Sequence, residues 1–271
     1  MQGRLAWPPL TPASATLPAV PAGPYDTLAE VYDWLVPDAL LTPQGSADAF
    51  AEHVEPGARV LDCACGTGTL AVGLALRGHD VTATDASAAM VARTARLAAE
   101  HGARVGTAVC AWAQLAGRGW DAAFDVVFCV GNSLPHAVGR DGRRAALNAM
   151  AAVLRPGGLL VLTSRTWEQV RGAGSRLQVG ERLVERDGRR GLPIYSWTIP
   201  ERWDEPHALD VAVALVADGG AITTRGERFA FWPFTEDQLR EDLRSVGLAP
   251  SAAAAPAEKA ARYLLTARRP A

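Results

Sequence analysis

The stretch Val60-Leu61-Asp62-Cys63-Ala64-Cys65-Gly66-Thr67-Gly68-Thr69-Leu70 decides the fold of this chain. The apolar run that ends at Asp62 predicts a short buried strand, and the Leu, Ala and Val residues after Gly68 have helical spacing. Glycines in the turn between them permit positive φ and a close approach of a ligand to the backbone. The N–H groups that open the helix point at the same place. The stretch therefore predicts a ligand cradle at the carboxyl end of the first strand.

A second acid indicates the kind of ligand. Residues 79–84 predict another strand that leads into Asp85, roughly 20 residues after the turn, where nucleotide-binding folds place a carboxylate on ribose hydroxyls. A dinucleotide fingerprint would need a third glycine, and Leu70 and Ala71 stand where it would be sought. The acidic start of the turn suits a cationic or amine-bearing ligand better than a pyrophosphate. We therefore expect a nucleoside-containing ligand other than a dinucleotide.

Composition bears on the class of protein. With 271 residues, 49% of them apolar, the chain can form one large α/β domain with an insertion or two small domains. The net charge of −2 gives no electrostatic case for nucleic acid or an anionic membrane, and no apolar stretch reaches the roughly 20 residues that span a bilayer. The N-terminus lacks the pattern of a signal peptide. The four cysteines lack metal-ligand spacing, so we expect no metal and a reducing cytoplasm.

Four segments follow one another along the chain. Residues 1–24 form a Pro/Ala-rich arm, and residues 25–165 form a Rossmann-like, doubly wound α/β core that begins with two lid helices, at 25–35 and 46–54. Residues 166–234 have the alternation of an antiparallel β insertion, and residues 235–271 return to the core. The core strands are predicted at 58–63, 79–84, 103–109, 124–130 and 157–164, with helices at 68–77, 87–100 and 140–154.

The acidic glycine turn resembles motif I of the class I S-adenosylmethionine (SAM)-dependent methyltransferases. That resemblance implies a seven-stranded sheet with a final antiparallel strand at 262–267. It also implies SAM as cofactor and S-adenosylhomocysteine as product. In that family the turn lies against the methionine part of the cofactor and the acid after strand 2 holds the ribose. The cofactor-binding residues that follow from this are Tyr32, Asp62, Ala64, Gly66, Gly68, Asp85, Ala86, Met90, Ala111, Trp112 and Val130.

Two later runs are similar to the glycine and sarcosine N-methyltransferases. They are Val127-Phe128-Cys129-Val130-Gly131-Asn132-Ser133, followed by His136, and the fifth-strand run Gly157 to Trp167, which contains Arg165. In those enzymes the strand-4 Asn and the Arg that ends strand 5 contact the amino-acid substrate, and a guanidinium can hold a carboxylate bidentately. The resemblance implies catalytic roles for Asn132, Arg165 and His136, and an acceptor site formed by Tyr25, Asn132, Arg165 and Tyr195.

The sequence thus predicts methyl transfer to the amine of a small, glycine- or sarcosine-like amino acid. Several residues keep a structural alternative: packing for Tyr25 and Tyr32, core filling for Trp112, packing or helix capping for His136, and a surface charge for Arg165. A methyltransferase of the same fold acting on a larger natural product is the nearest rival. This sequence lacks the third glycine and the Tyr-x-x-x-Lys pair expected of a nicotinamide-dependent oxidoreductase, which argues against that class. A SAM-binding module without catalysis would not need Arg165. A homo-oligomer is left open.

Overall fold

The computed structural model describes residues 25–251 and 261–271. The predicted arm at 1–24 lies outside the described residues, and so do residues 252–254, the end of a closing strand that the sequence predicts at 248–254. The strands within the described ranges are β1 Arg59–Asp62, β2 Asp80–Asp85, β3 Val105–Val109, β4 Phe124–Cys129, β5 Leu154–Arg165, β6 Arg176–Val179, β7 Val184–Arg186, β8 Arg189–Thr198, β9 His207–Val216, β10 Ile222–Phe231, β11 Ala249–Pro250 and β12 Arg262–Arg268.

Seven of these strands form one mixed sheet in the order β11-β12-β5-β4-β1-β2-β3. Strands β1 to β5 pair in parallel, and β12 pairs with β5 in the opposite direction, with Leu265 opposite Leu162. Strand order reverses between β1 and β4, which creates the crevice where open α/β sheets bind ligands. The predicted seven-stranded, doubly wound sheet with a final antiparallel strand is confirmed.

Helices cover both faces of this sheet. The α-helices are α1 Pro43–Asp48, α2 Thr69–Leu76, α3 Ala88–Glu100, α4 Gly139–Val153, α5 Trp167–Gly172 and α6 Glu236–Ser245. On one face Leu61 and Val127 pack with α4 and α6, and on the other Val60 and Val126 pack with α2. Adjacent residues of β1 and β4 thus enter opposite cores, as expected for strands buried on both sides.

Helices α4 and α6 are joined by an ion-pair cluster around one buried carboxylate. Asp242 of α6 is fully buried and accepts hydrogen bonds from Arg140, Arg143 and Arg144 of α4, each at 2.8 Å. Burial by itself raises the pKa of the Asp242 carboxyl, but the three arginines outweigh it and hold that pKa below its usual value. The sequence predicts Thr235 as the cap of this helix, and the structure confirms it: Thr235 forms a capping box with Gln238 at the start of α6.

The two lid helices predicted at 25–35 and 46–54 are wrong in helix type or in bounds. Residues 29–35 are a 3-10 helix, and Tyr25 has a φ of 71°, so Asp26 and Thr27 do not cap an α-helix there. The second helix begins at Pro43 with Thr42 as its cap and ends at Asp48, followed by a 3-10 turn. Ser46, the predicted cap, is instead buried and bonds to the Leu40 carbonyl. Long-range contacts of the aromatic residues override local helix propensity in this segment.

The fifth strand also differs in its start. The predicted turn at 155–158 lies inside β5, which begins at Leu154, and the pairing with β4 shifts register between Phe124 and Val126. Gly157 has a φ of 77°, and a Cβ on Gly158 would lie 2.9 Å from the Arg155 carbonyl oxygen. The two glycines therefore form an irregularity within a continuous strand.

The insertion is a separate antiparallel sheet in the order β10-β9-β8-β6, with β7 paired to β8. Strand β9 alternates strictly, and its inward residues Leu209, Val211, Val213 and Leu215 are buried. They join a core that contains Trp167 and Trp197. The sequence missed β6 and α5, although α5 supplies Trp167, one of the largest fully buried side chains in the described structure.

A segment that we call the N-terminal strap, residues 25–41, lies between the two sheets. Trp34 donates a hydrogen bond of 3.0 Å to the Val184 carbonyl of the insertion, and Asp33 forms a 2.7 Å ion pair with Arg93 of α3 in the core. The strap is thus tied to both sheets. None of the helices in the described ranges is long and apolar enough to cross a membrane.

Candidate cofactor and acceptor site

The predicted cradle lies between β1 and α2, and its two glycines have different roles. Gly66 has a φ of 53°, and a Cβ added there would meet no atom within 4 Å, so the backbone faces open space. Gly68 has a φ of 86°, and its Cβ would lie 2.8 Å from the Cα of Thr94 in α3. Gly66 therefore leaves room for a ligand, while Gly68 permits close packing of the turn against α3.

Asp85 fixes the turn from the neighbouring strand. One carboxylate oxygen accepts a 3.0 Å hydrogen bond from the backbone N–H of Gly66, and the other accepts a 2.9 Å bond from the backbone N–H of Ser87. Burial raises the pKa of Asp85, while these bonds oppose the rise. The Asp85 carboxylate also faces the cavity, and its oxygens can accept further hydrogen bonds from ligand hydroxyls.

Asp62 ends β1 with 1% of its surface exposed. Its carboxylate accepts a long hydrogen bond of 3.4 Å from the Ala64 N–H, and burial, aided by the nearby Asp85 charge, raises its pKa to about 7. A cationic ligand group beside this carboxyl group would stabilise its deprotonated form. The site therefore favours a positive charge beside Asp62.

The cavity that opens over the glycine turn has a volume of about 470 Å³, within the usual range for small ligands. A separate cavity of about 590 Å³ lies elsewhere on the core. Eight of the predicted site residues line the cavity over the turn. They are Tyr25, Tyr32, Asp62, Ala64, Gly66, Asp85, Met90 and Val130. The cavity lies at the carboxyl ends of β1, β2 and β4, as the fold requires.

Four predicted cofactor residues do not line this cavity: Gly68, Ala86, Ala111 and Trp112. The Trp112 indole donates a 2.8 Å hydrogen bond to the Cys63 carbonyl and packs, partly buried, against the core. The Ala111 N–H is taken by the Gln114 side chain at 2.8 Å. A role for Trp112 beside adenine stays a prediction, and the hydrogen bond to Cys63 fixes the ring next to the cradle in either case.

The two acceptor candidates from β4 and β5 are joined. Asn132 is buried, has a φ of 70°, and accepts a 3.0 Å hydrogen bond from the backbone N–H of Arg165 through its amide oxygen. Its amide NH₂ makes no hydrogen bond to any residue in the ranges 25–251 and 261–271. That NH₂ is therefore the part of Asn132 available to a ligand.

The Arg165 guanidinium makes no ion pair or side-chain hydrogen bond with the described part of the chain, and lies 5.7 Å from the Trp197 ring centroid. Burial lowers its pKa to about 10, with a smaller contribution from the neighbouring Arg262, whereas Tyr195, Tyr25 and Tyr32 oppose the shift. Arg165 thus stays charged at neutral pH. A half-buried cation among phenols is suited to bind an anionic ligand group.

Tyr25 and His136 form a partly buried pair. The Tyr25 hydroxyl lies 2.7 Å from His136 Nε2, and the Tyr25 ring stacks on Phe229 at 4.3 Å. Burial lowers the pKa of His136 to about 4 and raises the pKa of Tyr25 well above its usual value. Both groups are therefore neutral at pH 7, and the positive φ of Tyr25 is held by a 2.8 Å bond from its N–H to Glu227.

Sequence reasoning missed a cation that lines the cavity, Arg262. Arg262 of β12 lies directly opposite Arg165 in the antiparallel register and lines the cavity. Register between distant strands is not encoded in local periodicity, so only the pairing of β12 with β5 reveals this neighbour. Within the described ranges, no group of three or more His, Cys, Asp or Glu side chains could hold a metal ion, and the four cysteines are free and buried.

Strand order, the glycine turn and the acid after β2 together define a class I SAM-dependent methyltransferase fold. Residues 60–158 match the family model described as "Methyltransferase domain". S-adenosylmethionine is the cofactor of this class, and the observed site fits it. Gly66 leaves the turn open, Asp62 favours a cationic group, and Asp85 faces the cavity.

Curated relatives match about half of the chain or less. The glycine/sarcosine N-methyltransferase of Parasynechococcus marenigrum (strain WH8102) is 38% identical over 128 residues, which are 47% of this chain and 45% of that protein. The glycine N-methyltransferase of Rattus norvegicus is 34% identical over 129 residues, 43% of each chain. The chain thus spans about half the length of the curated relatives it matches.

Solved structures match over most of the chain. The CcbJ methyltransferase from Streptomyces caelestis has a TM-score of 0.71 and 22% identity, and the match covers 91% of this chain and 97% of that one. CalS10, a SAM-bound amino pentose methyltransferase from Micromonospora echinaspora, has a TM-score of 0.67 and 21% identity, and the match covers 89% and 95%. These likenesses establish the fold over both sheets.

Proposed function

We propose that this protein is a SAM-dependent N-methyltransferase that acts on the amine of a small, carboxylate-bearing acceptor, with a glycine- or sarcosine-like amino acid as the leading candidate. The observation that carries the proposal is the half-buried Arg165, whose guanidinium has no ion pair in the described ranges and whose backbone N–H is bonded to the Asn132 side chain. The similarity to glycine/sarcosine N-methyltransferases supports the same acceptor class.

Asp62 and the Gly66 turn hold the methionine part of the cofactor in this proposal, and Asp85 holds its ribose. Tyr32, Met90 and Val130 line the same cavity and exclude water from it. When bound, the cofactor supplies a methyl group already activated by the sulfonium, so the protein needs mainly to orient the acceptor.

The acceptor is held by its carboxylate on Arg165, and Asn132 and Tyr195 fix its direction. The amine reacts in its neutral form: its nitrogen lone pair forms the new N–C bond, the S–C bond breaks, and one amine proton is released. His136 is neutral with its Nε2 paired to Tyr25, so water is the simplest recipient of that proton. A role for His136 as base requires that this pair opens first.

The organisation of the chain fits these roles. The antiparallel sheet of residues 166–234 covers the acceptor and supplies Tyr195, while residues 25–165 and 235–271 carry the cofactor. Free, buried cysteines fit a reducing cytoplasm, which is where we place the activity. A larger natural-product acceptor is the second candidate, favoured by the likeness to the amino pentose methyltransferase CalS10 over 89% of the chain.

Label transfer tests the proposal. The protein is incubated with methyl-labelled SAM and, separately, glycine, sarcosine, dimethylglycine, glycinamide and an amino sugar. We expect label in glycine or sarcosine and little in glycinamide, because the amide lacks the charge that Arg165 binds. Label in the amino sugar alone would favour the second candidate, and label in none would remove the small-amine proposal.

A further inference from the structure

The outward side of the antiparallel sheet carries a contiguous apolar surface that the proposed function does not use. The strand register fixes which residues of β6, β8, β9 and β10 share this side, and we call it the outer face. Its apolar members include Leu177, Val179, Ile194, Ala212, Ala214 and Ile222. Leu177 and Ile222 are 67% and 66% exposed.

The outer face is flat as well as apolar. Its central rows contain Ala212 and Ala214, with Gly226 beside Ala212, so no large side chain projects from the middle of β9. Small residues allow a second sheet to approach to the usual packing distance of roughly 10 Å. An open, apolar sheet of this kind is rarely left in contact with water.

The charges of the outer face lie toward its two ends in the described strands. Toward one end Asp210 and Arg228 form a bidentate pair at 2.6 and 2.8 Å, and at the other Arg190 lies 3.5 Å from Asp218. Consider a two-fold axis that lies in the interface, at right angles to the strands and between the rows of Ala212 and Ala214. It places one end of the outer face of one copy on the other end of the outer face of the second copy. The row of Asp210 then faces the row of Val216 in the other copy, and Arg190 of that copy, paired with Val216 on the neighbouring strand, lies diagonally across from Asp210. An axis along β9 would instead place Asp210 on Asp210.

The size of the outer face also fits a second copy. Strands β8, β9 and β10 each have ten residues, so the face measures about 33 Å by about 14 Å, or about 19 Å with β6. Two copies would bury on the order of 1,000 Å² in total, the lower limit for a specific interface. We propose that the outer face is a self-complementary dimer interface in which Ala212 of one copy faces Ala214 of the other.

The inner face of the same strands gives this interface a functional context. Tyr195 and Trp197 of β8 point inward, toward Arg165, while Ile194 points outward. Association through the outer face would therefore hold rigid the strands that carry the acceptor contacts. This inference does not rest on the identity of the acceptor, and an error in the proposed function would leave it standing.

A register-specific charge experiment tests the interface. The association state of wild type, Ala212→Arg and Ala214→Glu is measured by sedimentation equilibrium, with circular dichroism and SAM affinity as tests of folding. We expect wild type to be a two-chain species at micromolar concentration. Each variant should raise the dimer dissociation constant at least tenfold, because each places an unpaired charge in an apolar contact. A mixture of the two variants should restore association, because the guanidinium introduced at position 212 of one copy would then face the carboxylate introduced at position 214 of the other.

Leu76→Arg is the matched control, since Leu76 is 51% exposed on α2 and remote from the outer face. It should leave the association state unchanged. A wild type that stays a single chain at about 100 µM would overturn the proposal, whatever else covers the face. So would a dimer that neither variant weakens, or two weakened variants whose mixture does not reassociate.

Discussion

The side-chain amide oxygen of Asn132 accepts a 3.0 Å hydrogen bond from the backbone nitrogen of Arg165. This bond joins the carboxyl ends of β4 and β5, two adjacent parallel strands, at the edge of the sheet that faces the cavity. The two acceptor candidates therefore act as one unit: Asn132 sets the position from which the Arg165 side chain leaves the backbone.

Asn132→Asp should separate the two roles of Asn132. Aspartate keeps an oxygen for the Arg165 N–H but loses the NH₂ that faces the acceptor. We expect kcat/KM to fall by about 1–3 kcal/mol in transition-state stabilisation, with SAM affinity nearly unchanged. Steady-state kinetics and calorimetry measure the two quantities. Asn132→Gly, which accepts the positive φ but lacks both groups, should be at least as inactive; an active Gly variant would remove the role.

Arg165→Lys and Arg165→Ala should both reduce activity. Lysine keeps the charge but loses the planar fork, and alanine should cost about 2–4 kcal/mol in kcat/KM because a desolvated ion pair is lost. Kinetics with the acceptor and with its uncharged amide measure this. The amide should be poor with wild type and lose little more with alanine. Full activity of both variants on the charged acceptor would contradict a carboxylate clamp.

Gly66→Ala and Gly57→Ala form a matched pair. Both glycines have positive φ and open space at the Cβ position, so each variant should lose about 1–2 kcal/mol of folding stability from backbone strain. Only Gly66 faces the cavity over the turn, so only that variant should also lose SAM affinity. Calorimetric binding beside thermal unfolding distinguishes the effects. Equal SAM affinities in the two variants would mean that the cradle is misplaced.

Cofactor affinity should rise with pH through about 7. Burial raises the Asp62 pKa to about 7, and a cationic ligand binds the deprotonated form, so protons compete with the ligand below that value. A single group of this pKa gives about a fivefold increase in affinity from pH 6 to pH 7. Titration calorimetry across this range measures it. Asp62→Asn should bind more weakly and lose the pH dependence; an unchanged slope would assign the proton to another group.

Asp242→Asn should lower stability, and most at neutral pH. The folded-state pKa of Asp242 lies below its usual value of 3.8, so its contribution is present above about pH 4 and is lost as pH falls through the folded-state pKa. Removing this partner leaves the buried Arg143 uncompensated, at a cost of about 3–5 kcal/mol. Urea unfolding of wild type and variant between pH 3 and pH 7 measures this. The difference between their free energies of unfolding should become smaller as the pH falls. Asp204→Asn, in an exposed pair with Arg202, should change little.

Local sequence was sufficient to predict the cradle but not the strap. The strand before Asp62, the turn at Gly66 and the acid at Asp85 are read from short-range periodicity and from residues with few backbone alternatives. The strap adopts a conformation that its own propensities disfavour, because Tyr25 is held by Glu227 and His136, which are more than 100 residues away.

The same limit applies to the site. Gly68 contacts α3 through Thr94, and Arg262 meets Arg165 across two strands nearly 100 residues apart. Contacts of this kind depend on sheet order and register, which periodicity does not specify. The local structure of the glycine turn was therefore better predicted from the sequence than the pairing of Arg165 with Arg262.

The N-terminal strap has a consequence for recombination between related enzymes. Because Trp34 packs under Gly191 and Tyr25 stacks on Phe229, the strap is fitted to the antiparallel sheet although it precedes the cofactor domain in the chain. A chimera that exchanged only residues 166–234 would confront a foreign sheet with the original strap. The unit that can be inherited or transplanted intact is thus discontinuous: residues 25–41 must accompany the antiparallel sheet that they contact.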